Sequence, residues 1–188
     1  MIARPSTAGV PGTRTARKAA DPAMTQDTGV TLDSYGLRRI FGLFATGVTV
    51  ITSIGSDGNW IGKTVNSFTS VSLAPPRVLF CVHQDSPMLH VLRERRVFAV
   101  NILEEGQEGV SRAFASRNGP RFGATECSTG DTGVPILNEA LGFLECHVVA
   151  EHDGGDHAIV IGQVARVGRL RGERPLTFFN SAHTRLIS

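Results

Sequence analysis

One stretch of nine residues, TVNSFTSVS at 64–72, sets six hydroxyl or amide side chains into otherwise strand-like sequence. Thr64, Asn66 and Ser67, with neighbouring backbone amides, offer hydrogen bonds to a polar planar ligand and its phosphate. A solvated sheet face has the same composition, so the stretch needs a second signal. Ser86-Pro87 supplies it. A serine cap followed by a first-turn proline, placed directly after a strand, presents free backbone N–H groups and the positive end of a helix dipole to an anion. Lys63 adds a point charge for the same phosphate.

Other groupings of reactive residues fail on spacing. GKT at 62–64 has the ending of a phosphate-binding loop, but the first glycine of that loop falls on Asp57 and a strand follows where a helix is required. No GxGxxG occurs, so a Rossmann cofactor site has no support. His147, His152 and His157 recur every five residues among Glu145, Glu151, Asp153 and Asp156. Odd spacing on a strand sends successive side chains to opposite faces, so only His152 and His157 could meet across a hairpin, and no metal site is expected. Cys81, Cys127 and Cys146 are odd in number, lack CxxC spacing and have no Cys-His signature. They read as buried small hydrophobes in a reduced, cytoplasmic protein.

These residues need a frame. Leu37, Ile40, Phe41 and Phe44 recur at helical spacing, with Ser34 placed to cap and Gly47 to stop, so a helix is expected over 34–46. Its apolar stripe is expected to pack on the strand after it, 48–54, where Val48, Val50 and Ile54 share one face and Thr49 and Ser53 the other. GSDGN at 55–59 turns the chain into a strand from Trp60. Further strands are expected at 66–72, 77–83, 96–103, 143–151 and 157–170, with Pro75-Pro76 separating two of them and DGGD at 153–156 closing a tight hairpin. Helices are expected from Ser86 and over 106–116, and residues 117–142 read as one long connection. Short strands joined mostly by hairpins argue for a closed or nearly closed antiparallel barrel.

Composition bounds the rest. The chain has 188 residues, 41% hydrophobic and 19% charged, which suits one folded domain. Residues 1–30 carry four of the 19 basic and two of the 17 acidic residues, leaving 15 of each in the body. A neutral body gives no electrostatic footprint for nucleic acid, and no apolar run approaches the roughly 20 residues needed to cross a bilayer. The segment 1–30 reads as a disordered tail, with Met24 as an alternative start, ahead of a single domain over 31–188.

Several blocks then carry a family resemblance. FATGVTVITS (44–53), TVNSFTSVSLAPPRVLFCVHQDS (64–86), RVFAVNIL (96–103), VPIL (134–137), DGGDHAIVIGQV (153–164) and PLTFF (175–179) together resemble the flavin reductase family, in order and over about residues 35–180. These are the reductase components of two-component flavin monooxygenases. The resemblance implies a mainly β fold, the FMN-binding split β-barrel, a six-stranded antiparallel Greek key with a few flanking helices. It further implies a homodimer, FMN or FAD as the flavin, NADH or NADPH as electron donor, and a separate oxygenase receiving reduced flavin.

It also implies a site. Ile61, Gly62, Lys63 and Thr64, with Asn66 and Ser67, would hold the isoalloxazine and ribityl chain; Cys81, Val82 and His83 would line the same pocket. Ser86, Pro87 and Met88, with an arginine from the helix holding Arg112 and Phe114, would meet the phosphate. His157 would lie near the nicotinamide together with Phe178, Phe179, Asn180 and Ser181. The chain departs from its relatives in three places. Met88 stands where they carry a hydroxyl, SRAF sets Arg112 one residue earlier than their arginine and so about 100° around the helix, and Asn180 replaces an arginine.

Hydride transfer between stacked rings demands orientation more than side-chain chemistry. His157 is the residue expected to orient the nicotinamide or supply a proton; its simpler role would be a bond across the turn to Asp153. Two rival functions share the architecture: a non-catalytic flavin- or haem-binding carrier or sensor, and an amine-oxidising enzyme like the pyridoxamine phosphate oxidases.

Overall fold

The computed structural model describes residues 29, 32–116, 122–123, 125–170 and 172–186. The segment expected as a disordered tail lies almost wholly outside them. Helix α1 spans Ser34–Phe41 and is followed by strands β1 (Thr46–Gly47), β2 (Thr49–Ile54), β3 (Trp60–Val65), β4 (Thr69–Leu73) and β5 (Pro76–His83). Helix α2 (Pro87–Arg95), β6 (Val97–Ile102) and α3 (Glu108–Ala115) come next, then β7 (Cys127–Thr129) and β8 (Pro135–Leu137). The long strands β9 (Gly142–Gly154) and β10 (His157–Arg169) precede a closing hairpin, β11 (Thr177–Phe179) and β12 (Ala182–Thr184).

One antiparallel sheet dominates, in the order β3-β2-β6-β9-β10-β5-β4. It has seven strands where six were expected, and its end strands β3 and β4 are not hydrogen-bonded to each other. The sheet nevertheless curls. Phe80 on β5 and Phe98 on β6 stand three strands apart, about 14 Å if the sheet were flat, yet their rings meet edge to face at 5.1 Å. The interior they share holds Ile51, Val78, Val82, Val100, Cys146, Val148, Ala158 and Val160, and α2 plugs it with Met88, Leu89 and Leu92. Gly162 permits the curl locally, because a Cβ there would stand 2.3 Å from Phe98 Cζ. The architecture is thus the expected mainly β split barrel, with its seam between β3 and β4.

Strand β2 is buried on both faces. Ile51 faces the barrel interior, whereas Val48 and Val50 join Leu103, Phe114, Leu137, Ala140 and Leu176 in a second cluster outside it. Buried hydroxyls on β2 are satisfied by backbone carbonyls: Thr52 Oγ1 donates to Pro135 O at 2.5 Å and Ser53 Oγ to Val97 O at 2.7 Å.

Several local expectations are corrected. Helix α1 stops at Phe41, with Asp33 rather than Ser34 accepting the capping N–H (from Gly36, 2.7 Å) and Gly42 rather than Gly47 ending it. The pairing of Thr46 and Gly47 with Phe178 and Thr177 draws the following chain into β1 instead. The α1 stripe does not pack on β2: Ile40, Phe41 and Phe44 are 49%, 68% and 78% exposed. The expected strand 66–72 starts late, as β4 from Thr69, with residues 66–68 outside both β3 and β4. Residues 117–142 are not one plain connection, since β7 and β8 form a hairpin within them. The DGGD hairpin is tight as expected, with Gly154 opposite His157 and Gly155 at φ +81°.

Candidate functional site

Ile61, Gly62 and Lys63 on β3, His83 and Asp85 after β5, and Ser86, Pro87 and Met88 at the start of α2 line one cleft of about 420 Å³. The chain reaches it because β5 ends in a turn, Ser86 N–H donating to His83 O at 2.9 Å, and Pro87 then opens α2. The Ser86 side chain makes no capping bond, and Leu89 N–H is used on Ser86 O at 2.9 Å. Proline has no N–H, so this tip offers the Ser86 hydroxyl and the Met88 amide as donors at the positive end of the dipole. Lys63 supplies its charge from the opposite wall, its Nζ also donating to Ala115 O at 3.0 Å. Gly62 lies where the ring of Phe114 presses from behind, at 2.5 Å from where a Cβ would stand.

His157 stands over the rim of this cleft. It pairs in register with His83, and the two imidazoles meet edge to face at 5.3 Å. Its Nδ1 lies 2.7 Å from Asp156 Oδ1, and that bond holds the Asp156 carboxyl below its ordinary range. An ionised carboxylate only accepts, so Nδ1 carries the proton and Nε2 is the atom left for exchange. The simpler role, a bond to Asp153, is not the one seen: His157 bonds Asp156, and Asp153 Oδ1 accepts the Gly155 N–H at 3.0 Å. His152 stands opposite Ile159, diagonal to His157 and not directly across from it.

A second cleft of about 240 Å³ opens farther along β3, lined by Val48, Thr64, Val65, Asn66, Ser111, Arg112, Ala115, Phe178 and His183. Thr64 Oγ1 donates to Ser111 O at 2.7 Å. Arg112 forms an ion pair with Glu108 one turn earlier on α3, which together with His183 holds the Glu108 carboxyl below its ordinary range. The structure therefore places Arg112 in the second cleft, away from the α2 tip with which it was expected to act.

Not every expected site residue lines either cleft. Ser67 pins the break between β3 and β4 to β5, its Oγ accepting from Cys81 N at 2.9 Å and donating to Cys81 O at 3.2 Å. Val82 faces the barrel interior at 3% exposure, and Phe114 is fully buried. Both are core residues. Phe179 is exposed, and Asn180 and Ser181 form the β11–β12 turn at φ 50° and 63°. Of the thiols only Cys146 is fully buried. Burial, together with Glu145, pushes it up to about 12, and burial pushes Cys127 up to about 11, so neither is a thiolate nucleophile at neutral pH. Spacing alone singled out neither Glu108 nor His183, although FFNSAH already set His183 beside the expected nicotinamide residues. A larger cleft of about 540 Å³, around Phe143 and Val167 at the end of the β9–β10 ladder opposite the DGGD turn, holds none of the expected residues.

Residues 41–186 match the flavin reductase like domain. The chain belongs to the flavin reductase family. Over 153 residues it is 37% identical to the reductase subunit HsaB of a flavin-dependent monooxygenase from Rhodococcus jostii, covering 81% of this chain and 78% of that one. It is 40% identical over 153 residues to the NADH-dependent FMN reductase SmoA of Agrobacterium fabrum, covering 81% and 86%. Among solved structures, this flavin reductase fold superposes with a TM-score of 0.78 on the NADH:FAD oxidoreductase SgcE6 of Streptomyces globisporus in complex with NAD and FAD fragments. That pair is 40% identical, with 82% of this chain and 93% of the other covered.

Proposed function

We propose that this flavin reductase uses NADH or NADPH to reduce free FMN or FAD and releases the reduced flavin to a separate oxygenase component. The observation that carries the reading is the first cleft: a nine-residue helix begins in it with two uncommitted donors, and a paired histidine stands at its rim. The donor set fits a flavin, whose phosphate Ser86 and Met88 would hold and whose ring the β3 residues up to Thr64, with Asn66, would hold. Asp85 in the same wall opposes a second anion there.

When bound, a dihydronicotinamide supplies a hydride to the flavin ring. What the chain contributes is orientation. Edge strand β3 and the α2 tip would hold the flavin, and the β9–β10 hairpin, paired to β5, places His157 at the cleft's rim. Asp156 fixes the His157 tautomer, leaving Nε2 to orient the donor or to move a proton at the rim.

A second copy of the chain is the partner proposed for the exposed apolar face of α1, since Leu37, Ile40 and Phe41 on one side of the helix, and Phe44 just after it, are left in water by a monomer. No helix among the described residues is long and apolar enough to cross a membrane, and the three free cysteines agree with the proposed reducing cytoplasm. Absorbance at 340 nm with FMN or FAD and either nicotinamide tests the proposal. Many turnovers of NADH per protein are expected. Flavin binding without turnover would make the protein a carrier or sensor instead, and light scattering on the eluted peak checks the dimer.

A further inference from the structure

The second cleft contains a connected set of polar side chains that the proposed reaction does not use. His183 on β12 sets its Nε2 2.9 Å from Ser111 Oγ and its Nδ1 3.4 Å from Glu108 Oε1. Glu108 is ionised beside Arg112, so it accepts from Nδ1–H, and Nε2 in turn accepts the Ser111 hydroxyl proton. Carboxylate, imidazole and hydroxyl stand in the order used by serine hydrolases. Ser111 is only 2% exposed, however, and its backbone N–H is spent on Gln107 O at 3.0 Å. Neither access for a substrate nor a local oxyanion donor is present on this residue, so the set does not make a nucleophile.

What it does is tie three segments together at one wall. Ser111 O accepts from Thr64 Oγ1 on β3, and the His183 ring packs edge to face on Phe178 of β11 at 5.5 Å. Both Thr64 and Phe178 line the cleft. The β11–β12 hairpin is short: its strands are three residues long, and its turn places two residues other than glycine at positive φ. Further anchorage comes from β1 and from Asn180 N–H on Gly42 O at 2.7 Å. Edge strand β3 likewise pairs on one side only.

We propose that His183 is a positioning residue for flavin binding, acting through Ser111 to hold Thr64 and Phe178 in their binding arrangement before the flavin arrives. The inference rests on the reading of the β3 wall as the flavin site. A wall ordered in advance spares the ligand the entropy of ordering it, so its loss weakens binding without slowing the step after binding. Breaking one buried hydrogen bond of this kind corresponds to roughly a fivefold to tenfold loss of affinity.

The test uses the full chain, with NADH oxidation followed at varied FMN concentration well below the melting temperature. His183→Ala is expected to raise the KM for FMN roughly fivefold to tenfold with kcat within about twofold. Gln at the same position, which keeps an amide in reach of Ser111, is expected to recover most of that loss. Ser111→Ala is expected to match His183→Ala, and the double variant to add nothing further; Ser111→Ala also carries the test where His183→Ala does not fold. A lowered melting temperature with KM unchanged in Ser111→Ala, or His183→Gln as impaired as His183→Ala, overturns the proposal and leaves the flavin reading intact. A wild-type protein that neither binds FMN nor oxidises NADH in its presence overturns both.

Discussion

Glu145 on β9 is a carboxylate with no exposed surface, and replacing it with glutamine measures what such a group contributes. Its Oε2 accepts from Thr132 N–H at 3.0 Å and from Thr132 Oγ1 at 2.9 Å. Its Oε1 accepts from Arg166 Nη1 at 2.8 Å, and that guanidinium also lies over the Phe143 ring at 5.2 Å. Burial by itself would raise the Glu145 pKa; the bonds from Thr132 and Arg166 outweigh it and hold the carboxyl below 4.5. Glutamine turns one of the two oxygens into a donor. Whichever way the amide lies, an N–H then faces either the Thr132 amide or Arg166, and a charge-assisted bond is lost. The cost is about 2–4 kcal/mol, which in a domain of this size lowers Tm by roughly 5–15 °C. Because the folded pKa is depressed, the carboxylate's contribution is complete above pH 4.5 and disappears as pH falls through the folded value. Melting curves by circular dichroism should therefore show the full gap between wild type and Glu145→Gln at pH 7, and a shrinking one below about pH 4. Identical melting at pH 7, or a gap unchanged at pH 3.5, would refute the reasoning.

Three further outcomes are expected. Gly62→Ala forces a Cβ to within 2.5 Å of the buried Phe114 ring, so it should destabilise by about 1–3 kcal/mol and weaken flavin binding, read by thermal melting and by flavin fluorescence titration; an unchanged Tm would contradict the packing. Ser67→Ala removes both bonds that Ser67 makes to Cys81 and should cost about 1–2 kcal/mol in urea denaturation, with a midpoint equal to wild type counting against it. His157→Ala should slow NADH oxidation at least about tenfold while leaving FMN affinity near that of wild type, and equal rates in stopped-flow traces would remove His157 from the mechanism.

Alternation along β2, the turn chemistry of GSDGN and DGGD, and the Ser86-Pro87 start made most of the sheet and α2 legible in the sequence, because each is dictated within a few residues. Other features were not, because their causes are distant in the chain. Helix α1 ends early since Thr46 and Gly47 pair with a strand 130 residues later, a contact that periodicity cannot see. Residues 66–68 leave the ladder because Ser67 bonds Cys81 sideways. The site divides the same way. Ile61–Lys63 and Ser86–Met88 were brought together as expected, whereas Val82 and Phe114 turned out to be packing residues, since strand alternation and helix phase sent their side chains inward. His183 reached α3 only through the fold of the last hairpin.

The seam of the sheet has a further consequence. A barrel that closed without a gap would spend every ladder group of its strands on one another. Here β3 ends the sheet, so alternate amides and carbonyls along Ile61–Val65 are left over from pairing, next to the side chains that line both clefts. Recognition by main-chain atoms is insensitive to side-chain replacement. On the proposed flavin site, this rim would keep its hold on a flat heterocycle while the residues around it drift, and selectivity for what is attached to that heterocycle would fall to the few side chains at the α2 tip and along α3.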